Sequence, residues 1–501
     1  MELDNTSKLD NHEKLLKKDF AKLNYPIKNW VPKILGPDKK PLIDVLVVGG
    51  GMNGLAAAFA LRAQGIQNIM QVDQQSSGYT GPWLNFARME YLRSPKHLTG
   101  PTLNIPNLTY RSWWEAVNNG HSWEDVGFIK REDWANYLRW FEKVTSSKIE
   151  HDSKVTNIEI GSTVNTTNFD PISYYCVDLT KVDNSLKSND KKTINRIYAR
   201  YIVLANGREG LAQPRIPKVL KTLASKKVFH SSSKINFALF KGKTVVVVGV
   251  AASALDNAAC AAEAGAAVIV VARSPQMPLL NKMRQTVYPG FAEGFYLLSD
   301  TEKLDWITHI QNQRIAPPKH TVERVAELNI RLMLDSEIES ASETKTNLKL
   351  TILSSKVKTV TFADFIILGT GFVVDLNQVP ELKKLSKDIL LWGDVLKGHS
   401  NGNTATSELL SFPYLGKNFQ FKSIEPSKSK ILGNIRCFNH AAQLSLGNLA
   451  NDIPHSNEGA QRLAKSIAAD LFEEDKKVHF ERLKNYTELE INGSEWSEIP
   501  D

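Results

Sequence analysis

The sequence predicts an α/β chain in which one parallel-sheet unit is used twice. Three observations carry this. The apolar run Val45 to Val48 leads into Gly49-Gly50-Gly51-Met52-Asn53-Gly54 and an Ala- and Leu-rich stretch, Leu55 to Ala63, that stops at Gly65. The run Lys243 to Val248 leads in the same way into Gly249-Val250-Ala251-Ala252-Ser253-Ala254 and an Ala-rich stretch with Gly265 behind it. Each copy then closes on an apolar run and a small-residue turn: Tyr201 to Leu204 before Ala205-Asn206-Gly207, and Phe365 to Leu368 before Gly369-Thr370-Gly371. A continuous apolar run is the mark of a strand buried on both faces. The repeated order of strand, glycine turn, helix and strand predicts two Rossmann-like dinucleotide-binding domains of the doubly wound α/β type.

Each part of the first copy has a physical job. Gly49 permits the tight turn, Gly51 lets a pyrophosphate approach the backbone, and Gly54 lets the helix pack closely on the strand. Met52 and Asn53 lie in the same turn, where the helix N-terminus offers free N–H groups and a positive dipole end to phosphate. Asp73 ends the second strand, Ile69 to Val72, at the position that accepts hydrogen bonds from an adenosine ribose. The motif alone does not separate FAD from NAD.

The second copy departs from this pattern. Ala251 stands at the middle glycine, and Ala254, an accepted variant, at the third. Ser253 lies between them, and Asp256 suits the positive end of the helix. Arg273 stands where Asp73 stood. A guanidinium there favours the 2′-phosphate of NADP, with an ordinary surface arginine as the alternative.

A chain of 501 residues with a formal charge of +8 has room for two or three domains. Its Lys and Arg are scattered, which reads as a solvated basic surface and not as a nucleic-acid or membrane partner. The three cysteines, Cys176, Cys260 and Cys437, form no C-x-x-C, which argues against a disulfide framework and a redox dithiol. The histidines form no ligand cluster, so no metal site is expected. A polar N-terminus and the lack of any apolar run of about 20 residues make a cytoplasmic protein without an integral membrane segment the expectation.

Five regions follow: an N-terminal helical extension (1–41), the first domain (42–212), the second (213–368), a return to the first (369–480) and a tail (481–501). Leu15, Leu16, Phe20 and Leu23 fall at helical spacing, and so do Trp134, Tyr137, Leu138 and Phe141 within a helical stretch over 111–142. Gln74 to Thr109 is aperiodic but rich in apolar side chains, which argues for an ordered, functional segment. Val155–Ile160, Tyr174–Leu179 and Ile194–Tyr198 read as strands, with a polar loop over 181–193. Ile330–Leu334, Leu348–Leu353 and Val357–Phe362 read as the matching three-stranded excursion. A strand over Asn434–Phe438 precedes a last helix, capped by Asn457, whose apolar face runs from Ala460 to Phe472. The acidic tail beyond about 485 reads as loose.

This ordered set resembles the flavin-containing monooxygenases and their relatives, the Baeyer–Villiger and N-hydroxylating monooxygenases. The resemblance rests on Gly49/Gly51/Gly54, Gly81-Pro82-Trp83, Tyr91-Leu92-Arg93-Ser94-Pro95, Leu204-Ala205-Asn206-Gly207, Gly249 to Ala254 and Gly369-Thr370-Gly371-Phe372, and covers roughly residues 42–475. It implies a glutathione-reductase-like arrangement with FAD in the first domain and NADPH in the second. It also adds Trp83, Arg93, Ser94, Asn206, Gly207, Thr370 and Gly371 to the cofactor-binding set. The implied reaction is insertion of one oxygen atom from O2 into a small molecule through a flavin C4a-hydroperoxide. The family's Phe-x-Gly-x-x-x-His is not met: His230 is present, but Ala224 and Lys226 stand at the other two positions. An FAD-dependent NAD(P)H oxidoreductase without oxygen insertion, and a cofactor-binding sensor or pseudoenzyme, are the alternatives. No side chain stands out as catalytic, although Arg93 and Lys96 are candidates to hold an anion. A homo-oligomer is left open.

Overall fold

A computed structural model describes residues 2–118, 120–164, 171–182, 194–223, 226–313, 315–396, 404–450, 452–493 and 495. The first half runs α1 (Glu2–Lys22), β1 (Ile43–Val48), α2 (Met52–Ala63), β2 (Ile69–Val72), α3 (Tyr110–Val117), α4 (Arg131–Val144), β3 (Ile149–Glu150), β4 (Ser153–Ile160), β5 (Tyr175–Lys181), β6 (Ile194–Leu204) and β7 (Ala212–Pro214). The second runs β8 (Val228–His230), β9 (Thr244–Val248), α5 (Ala252–Glu263), β10 (Ala267–Val271), α6 (Pro289–Gly294), α7 (Asp300–Asn312), α8 (Lys319–Ala326), β11 (Ile330–Met333), β12 (Ser336–Glu343), β13 (Leu348–Ser354), β14 (Val357–Ala363), β15 (Phe365–Leu368) and β16 (Phe372–Val374). The chain then returns through α9 (Trp392–Val395), α10 (Thr404–Leu409), α11 (Ser429–Gly433), β17 (Ile435–Cys437), α12 (Gln443–Leu446) and α13 (Ser456–Lys484).

The repeat holds at the level of strand order. In the first sheet β3, β2, β1 and β6 follow one another, all parallel, and β17 joins the far side of β6. In the second the order is β11-β10-β9-β15-β8, again all parallel. Position by position, β17 corresponds to β8, yet one comes from the end of the chain and the other from just before the second glycine turn. The antiparallel excursions match too: β4-β5 on the first half of β6, and β12-β13-β14. β7 and β16 pair antiparallel where the chain passes between the two halves.

Several sequence expectations need correction. Ile194–Tyr198 and Tyr201–Leu204 are one continuous strand, whose first half pairs antiparallel with β5 and whose second half lies parallel to β1. Ile330 to Met333 belongs to the parallel sheet; the third strand of the second excursion is β12, whose sequence, Ser-Glu-Ile-Glu-Ser-Ala-Ser-Glu, carries almost no apolar alternation. In α1, Leu16 and Phe20 are buried but Leu15 and Leu23 are exposed, so its packed face is narrower than expected. Asn457 does not cap α13; His455 holds that position, and Asn457 instead accepts the Leu103 N–H at 2.9 Å. Most of the polar loop over 181–193, and the end of the acidic tail, lie outside the described residues.

The core crosses the boundary between the halves. Phe291 and Phe295, with Leu304, Ile307 and Ile310 of α7, pack into the same apolar cluster as β1, β6 and α13. Arg324 of α8 bonds Glu263 at 2.7 Å and the Arg88 carbonyl at 3.2 Å, tying the second half to the aperiodic segment of the first.

A buried ion cluster fastens α13 to the first sheet. Arg200 of β6 donates to Asp475 at 2.8 and 3.0 Å and to Glu474 at 3.0 Å, with Asp44 of β1 3.8 Å away. Burial pushes the Asp44 carboxyl up to about 7, against the pull of Arg200. Arg200→Leu leaves these carboxylates without their shared cation and should cost about 3–5 kcal/mol of unfolding free energy. Denaturant titration checks this, and a loss under about 1 kcal/mol would mean that the cluster contributes no more than a surface pair.

Candidate functional site

The site begins at the turn after β1. Gly49 has φ +118°, and its N–H reaches the Val72 carbonyl at 2.8 Å, which aligns the ends of β1 and β2. Gly51 precedes α2, whose first turn carries neither a side-chain cap nor an acidic residue. Its free N–H groups are thus available to an anion. The glycines differ in what requires them. A Cβ at Gly54 would lie 2.0 Å from the Gly49 carbonyl oxygen, so the fold itself demands glycine there. A Cβ at Gly51 would meet nothing nearer than Gly81 Cα at 3.5 Å, at a φ of −72° that any residue adopts. Glycine is needed at 51 only if a ligand comes close, as the pyrophosphate of a dinucleotide does.

The surroundings fit that ligand. Asp73 accepts the Gly50 N–H at 2.6 Å and the Gln75 N–H at 2.7 Å, one on each carboxylate oxygen, which leaves lone pairs for ribose hydroxyls. Burial raises its pKa despite those two bonds. Trp83 packs edge-on against Trp134, 6.3 Å between ring centres, and its indole N–H is buried with no partner among the described residues. Met52 packs against the aromatic cluster of α3 and α4. Asn53 donates to the Ala450 carbonyl at 2.7 Å, and Ser94 is buried. The Asn206 side chain is taken up by Asn439 at 2.9 Å, so it offers a ligand little beyond its backbone; Gly207 beside it has φ +75°.

The second turn repeats the first. Gly249 has φ +117° and bonds the Val271 carbonyl at 2.9 Å, and α5 likewise starts without a cap or an early acid. Ala251 has nearly the backbone angles of Gly51, so its methyl occupies the space that Gly51 leaves open. Ala254 fits because the residue facing it is Gly369, where a Cβ would lie 2.4 Å from the Ala254 methyl. Ser253 accepts the Asn257 amide on its carbonyl at 2.7 Å. Arg273 is exposed at the end of β10 and makes no side-chain bond among the described residues. The Thr370 hydroxyl donates to the Arg215 carbonyl. His230, at the end of β8, donates from Nε2 to the Gly371 carbonyl at 2.9 Å and accepts from Ser232 on Nδ1. That histidine therefore braces the second small-residue turn.

A cluster of charges that the sequence does not announce gathers around Arg93. Arg208, Arg284 and Asp452 each come within electrostatic reach of Arg93, and Asp452 also within reach of Arg208, with Asp256 beyond. None of the three guanidinia forms a hydrogen bond or ion pair among the described residues. Arg208 and Asp452 are exposed to solvent. Burial lowers the Arg93 pKa, Asp452 opposes that, and Arg208 reinforces it. Of these arginines only Arg93 belongs to a motif of the sequence; Arg208 merely follows the Asn206-Gly207 turn, and Arg284 carries no local signal. Lys96 does not join them: it donates to the Trp123 carbonyl at 2.8 Å and sits over the Trp123 ring.

The contrast between Gly51 and Gly54 is testable. Gly51→Val should leave the melting temperature of the cofactor-free protein nearly unchanged and abolish FAD retention, read from the flavin released on denaturation. Gly54→Ala should lower the melting temperature itself, by about 1–3 kcal/mol of stability. Full FAD content in Gly51→Val would show that the phosphates pass elsewhere.

Comparison with known proteins agrees with this architecture. A family model described as L-lysine 6-monooxygenase/L-ornithine 5-monooxygenase matches residues 121–374. The chain is 28% identical over 484 residues to an FAD-dependent urate hydroxylase of Xanthomonas campestris pv. campestris, covering 96% of this chain and 97% of that protein. Among solved structures it is similar to an ornithine hydroxylase from Pseudomonas aeruginosa, with 17% identity, 86% of this chain and 100% of that one covered, and a TM-score of 0.64. It is also similar to an ornithine N-hydroxylase from Kutzneria sp. 744, solved with reduced FAD, NADP+ and L-ornithine, with 15% identity, 86% and 100% coverage and a TM-score of 0.62. The chain belongs to the L-lysine 6-monooxygenase/L-ornithine 5-monooxygenase family, and with that family it is an FAD-dependent, NADPH-using monooxygenase.

Proposed function

We propose that this monooxygenase acts on a small acid held by Arg93, Arg208 and Arg284, of the heteroaromatic kind that urate represents. The observation that supports this reading is that Arg208 and Arg284 both lie within electrostatic reach of Arg93, and that none of the three guanidinia forms an ion pair among the described residues. Like charges brought together repel, and the cost is offset when an anion joins them through short, charge-assisted bonds. The relative that matches almost end to end is named a urate hydroxylase, which points the same way. The runner-up is a diamino acid, favoured by the family model and by the Kutzneria relative.

We infer that FAD lies on the first turn, against Gly49, Gly51, Met52, Asn53, Gly54 and Asp73, with Trp83, Arg93, Ser94 and Gly207 nearby. NADPH then lies on the second turn, against Gly249, Ala251, Ser253, Ala254 and Arg273, with Thr370 and Gly371 at its mouth. Residues 42–212 with 369–480 form the FAD domain in this reading, and 213–368 the NADPH domain. FAD supplies the redox chemistry; the protein's part is to orient substrate and nicotinamide and to keep water away.

Two measurements test these readings. NADPH oxidation and product mass should be followed with urate, L-ornithine and L-lysine. Urate should be hydroxylated, and Arg284→Ala should raise its KM about 10- to 100-fold while the KM for NADPH holds. Turnover of ornithine or lysine without urate would overturn the acid reading, and a rise in the NADPH KM alone would assign Arg284 to the nucleotide. Separately, Arg273→Ala should weaken NADPH about 10- to 100-fold and leave NADH nearly untouched, since a charged hydrogen bond to phosphate is worth about 1.5–3 kcal/mol. Equal loss for both nucleotides would remove Arg273 from the 2′-phosphate.

A further inference from the structure

The aperiodic segment after β2 is held by both halves of the molecule. Its start lies on the first glycine turn: a Cβ at Gly51 would be 3.5 Å from Gly81 Cα. Arg131, at the head of α4, donates to the Trp83 carbonyl at 2.6 Å, and its N–H reaches the Glu90 carbonyl at 2.9 Å. The Leu92 N–H bonds the Ile129 carbonyl at 2.8 Å. Between these points the second half takes hold. Arg324 of α8 donates to the Arg88 carbonyl at 3.2 Å and stands 3.7 Å from the Glu90 carboxylate. The Arg88 guanidinium lies over the ring of Phe237, 5.3 Å from its centre. His320, also of α8, meets Tyr91 edge-on, with 5.5 Å between ring centres.

The same helix is fastened to the second glycine turn. α5 starts directly after that turn, and about one turn into it Asp256 accepts the Thr321 hydroxyl at 3.0 Å, with both side chains buried. At the far end of α5, Glu263 receives two nitrogens of Arg324, each at 2.7 Å. Thr321 and Arg324 are three residues apart, so they share one face of α8. A guanidinium is a rigid, planar fork. With Nε and Nη2 spent on Glu263, Nη1 is fixed in direction, and it is Nη1 that meets the Arg88 carbonyl. A continuous path of direct contacts thus runs from the second turn through Asp256, Thr321, Arg324 and Arg88 to the segment that lies on Gly51.

We propose that Arg324 is a positioning residue for the reduction of FAD by NADPH. It touches neither cofactor. It fixes α8, and with it the second glycine turn, against the segment that covers the first, and so sets how the two cofactors face each other when hydride passes from NADPH to FAD. This rests on the cofactor placement given above and deepens it. Transfer between two bound groups is steep in their separation, and a misplacement of about 1 Å costs on the order of 100-fold in rate. A tie that served stability alone would lower the melting temperature when broken and leave the rate per bound FAD unchanged.

Two measurements on the full-length protein test this. In the cofactor-free protein, hydrogen exchange of the amides over 81–92 should quicken in Arg324→Ala, with β1 and β6 exchanging as in wild type. In the FAD-loaded protein, anaerobic mixing with a series of NADPH concentrations separates the dissociation constant from the limiting rate of flavin reduction. Arg324→Ala should slow the limiting rate about 10- to 100-fold and leave the dissociation constant nearly unchanged. Arg324→Lys keeps a charge for Glu263 but not the fork, so it should show a smaller loss of the same kind; if Arg324→Ala retains no FAD, this variant decides. A wild-type limiting rate in the variants that load FAD, or unchanged exchange over 81–92, would overturn the positioning role. A raised NADPH dissociation constant at an unchanged limiting rate would instead put the nucleotide on Arg324 and overturn the cofactor placement beneath the proposal.

Discussion

The architecture depends on one close approach, that of a helix to the turn that precedes it. At Gly54 a Cβ would sit 2.0 Å from the Gly49 carbonyl oxygen, so α2 lies as near to the end of β1 as backbone atoms allow. This closeness aims the uncapped N–H groups of α2 at the edge of the parallel sheet. It also brings Asp73, from the end of β2, onto the Gly50 N–H. In the second half the corresponding residue is Ala254, and its methyl is accommodated at the end of β15, where a Cβ on Gly369 would lie 2.4 Å from it.

The two halves are not independent units joined by a linker. The helical segment after β10 gives Phe291, Phe295 and the apolar face of α7 to the core of the first half. Thr286, at the start of that segment, is the anchor for the loop ahead of α13. Arg324 adds a polar tie to the Arg88 carbonyl. Two hydride-exchanging cofactors must face each other at a fixed distance, and side-chain bonds across the boundary serve that need better than a flexible connection. The β7–β16 pair completes the junction as a short ribbon.

Much of the fold is legible because it is written locally. The buried strands β1, β9 and β15 announce themselves as unbroken apolar runs, and each glycine turn by its spacing. The misreadings have local causes as well. β12 is a polar edge strand, and its place in the sheet comes from pairing with β13 and not from its own pattern. The break expected inside β6 is absent because the strand changes neighbours midway, which changes its burial without ending it. Asn457 looked like a cap on chemical grounds, but a contact to Leu103, far away in sequence, claims its side chain.

By itself the sequence determined the repeat, the two dinucleotide turns, the exchange of Asp73 for Arg273 and the resemblance to flavin monooxygenases. Each of these depends on residues within one strand–turn–helix unit, where spacing dictates geometry. Only the tertiary structure decided which charges meet. Arg93, Arg208, Arg284 and Asp452 come from four separate segments, and no periodicity links them. It also reduced His230 and Lys96 to structural braces by showing their partners. The physical reason is that backbone conformation is set by neighbours along the chain, whereas the field in a cleft is set by side chains that only folding brings within a few ångströms of each other.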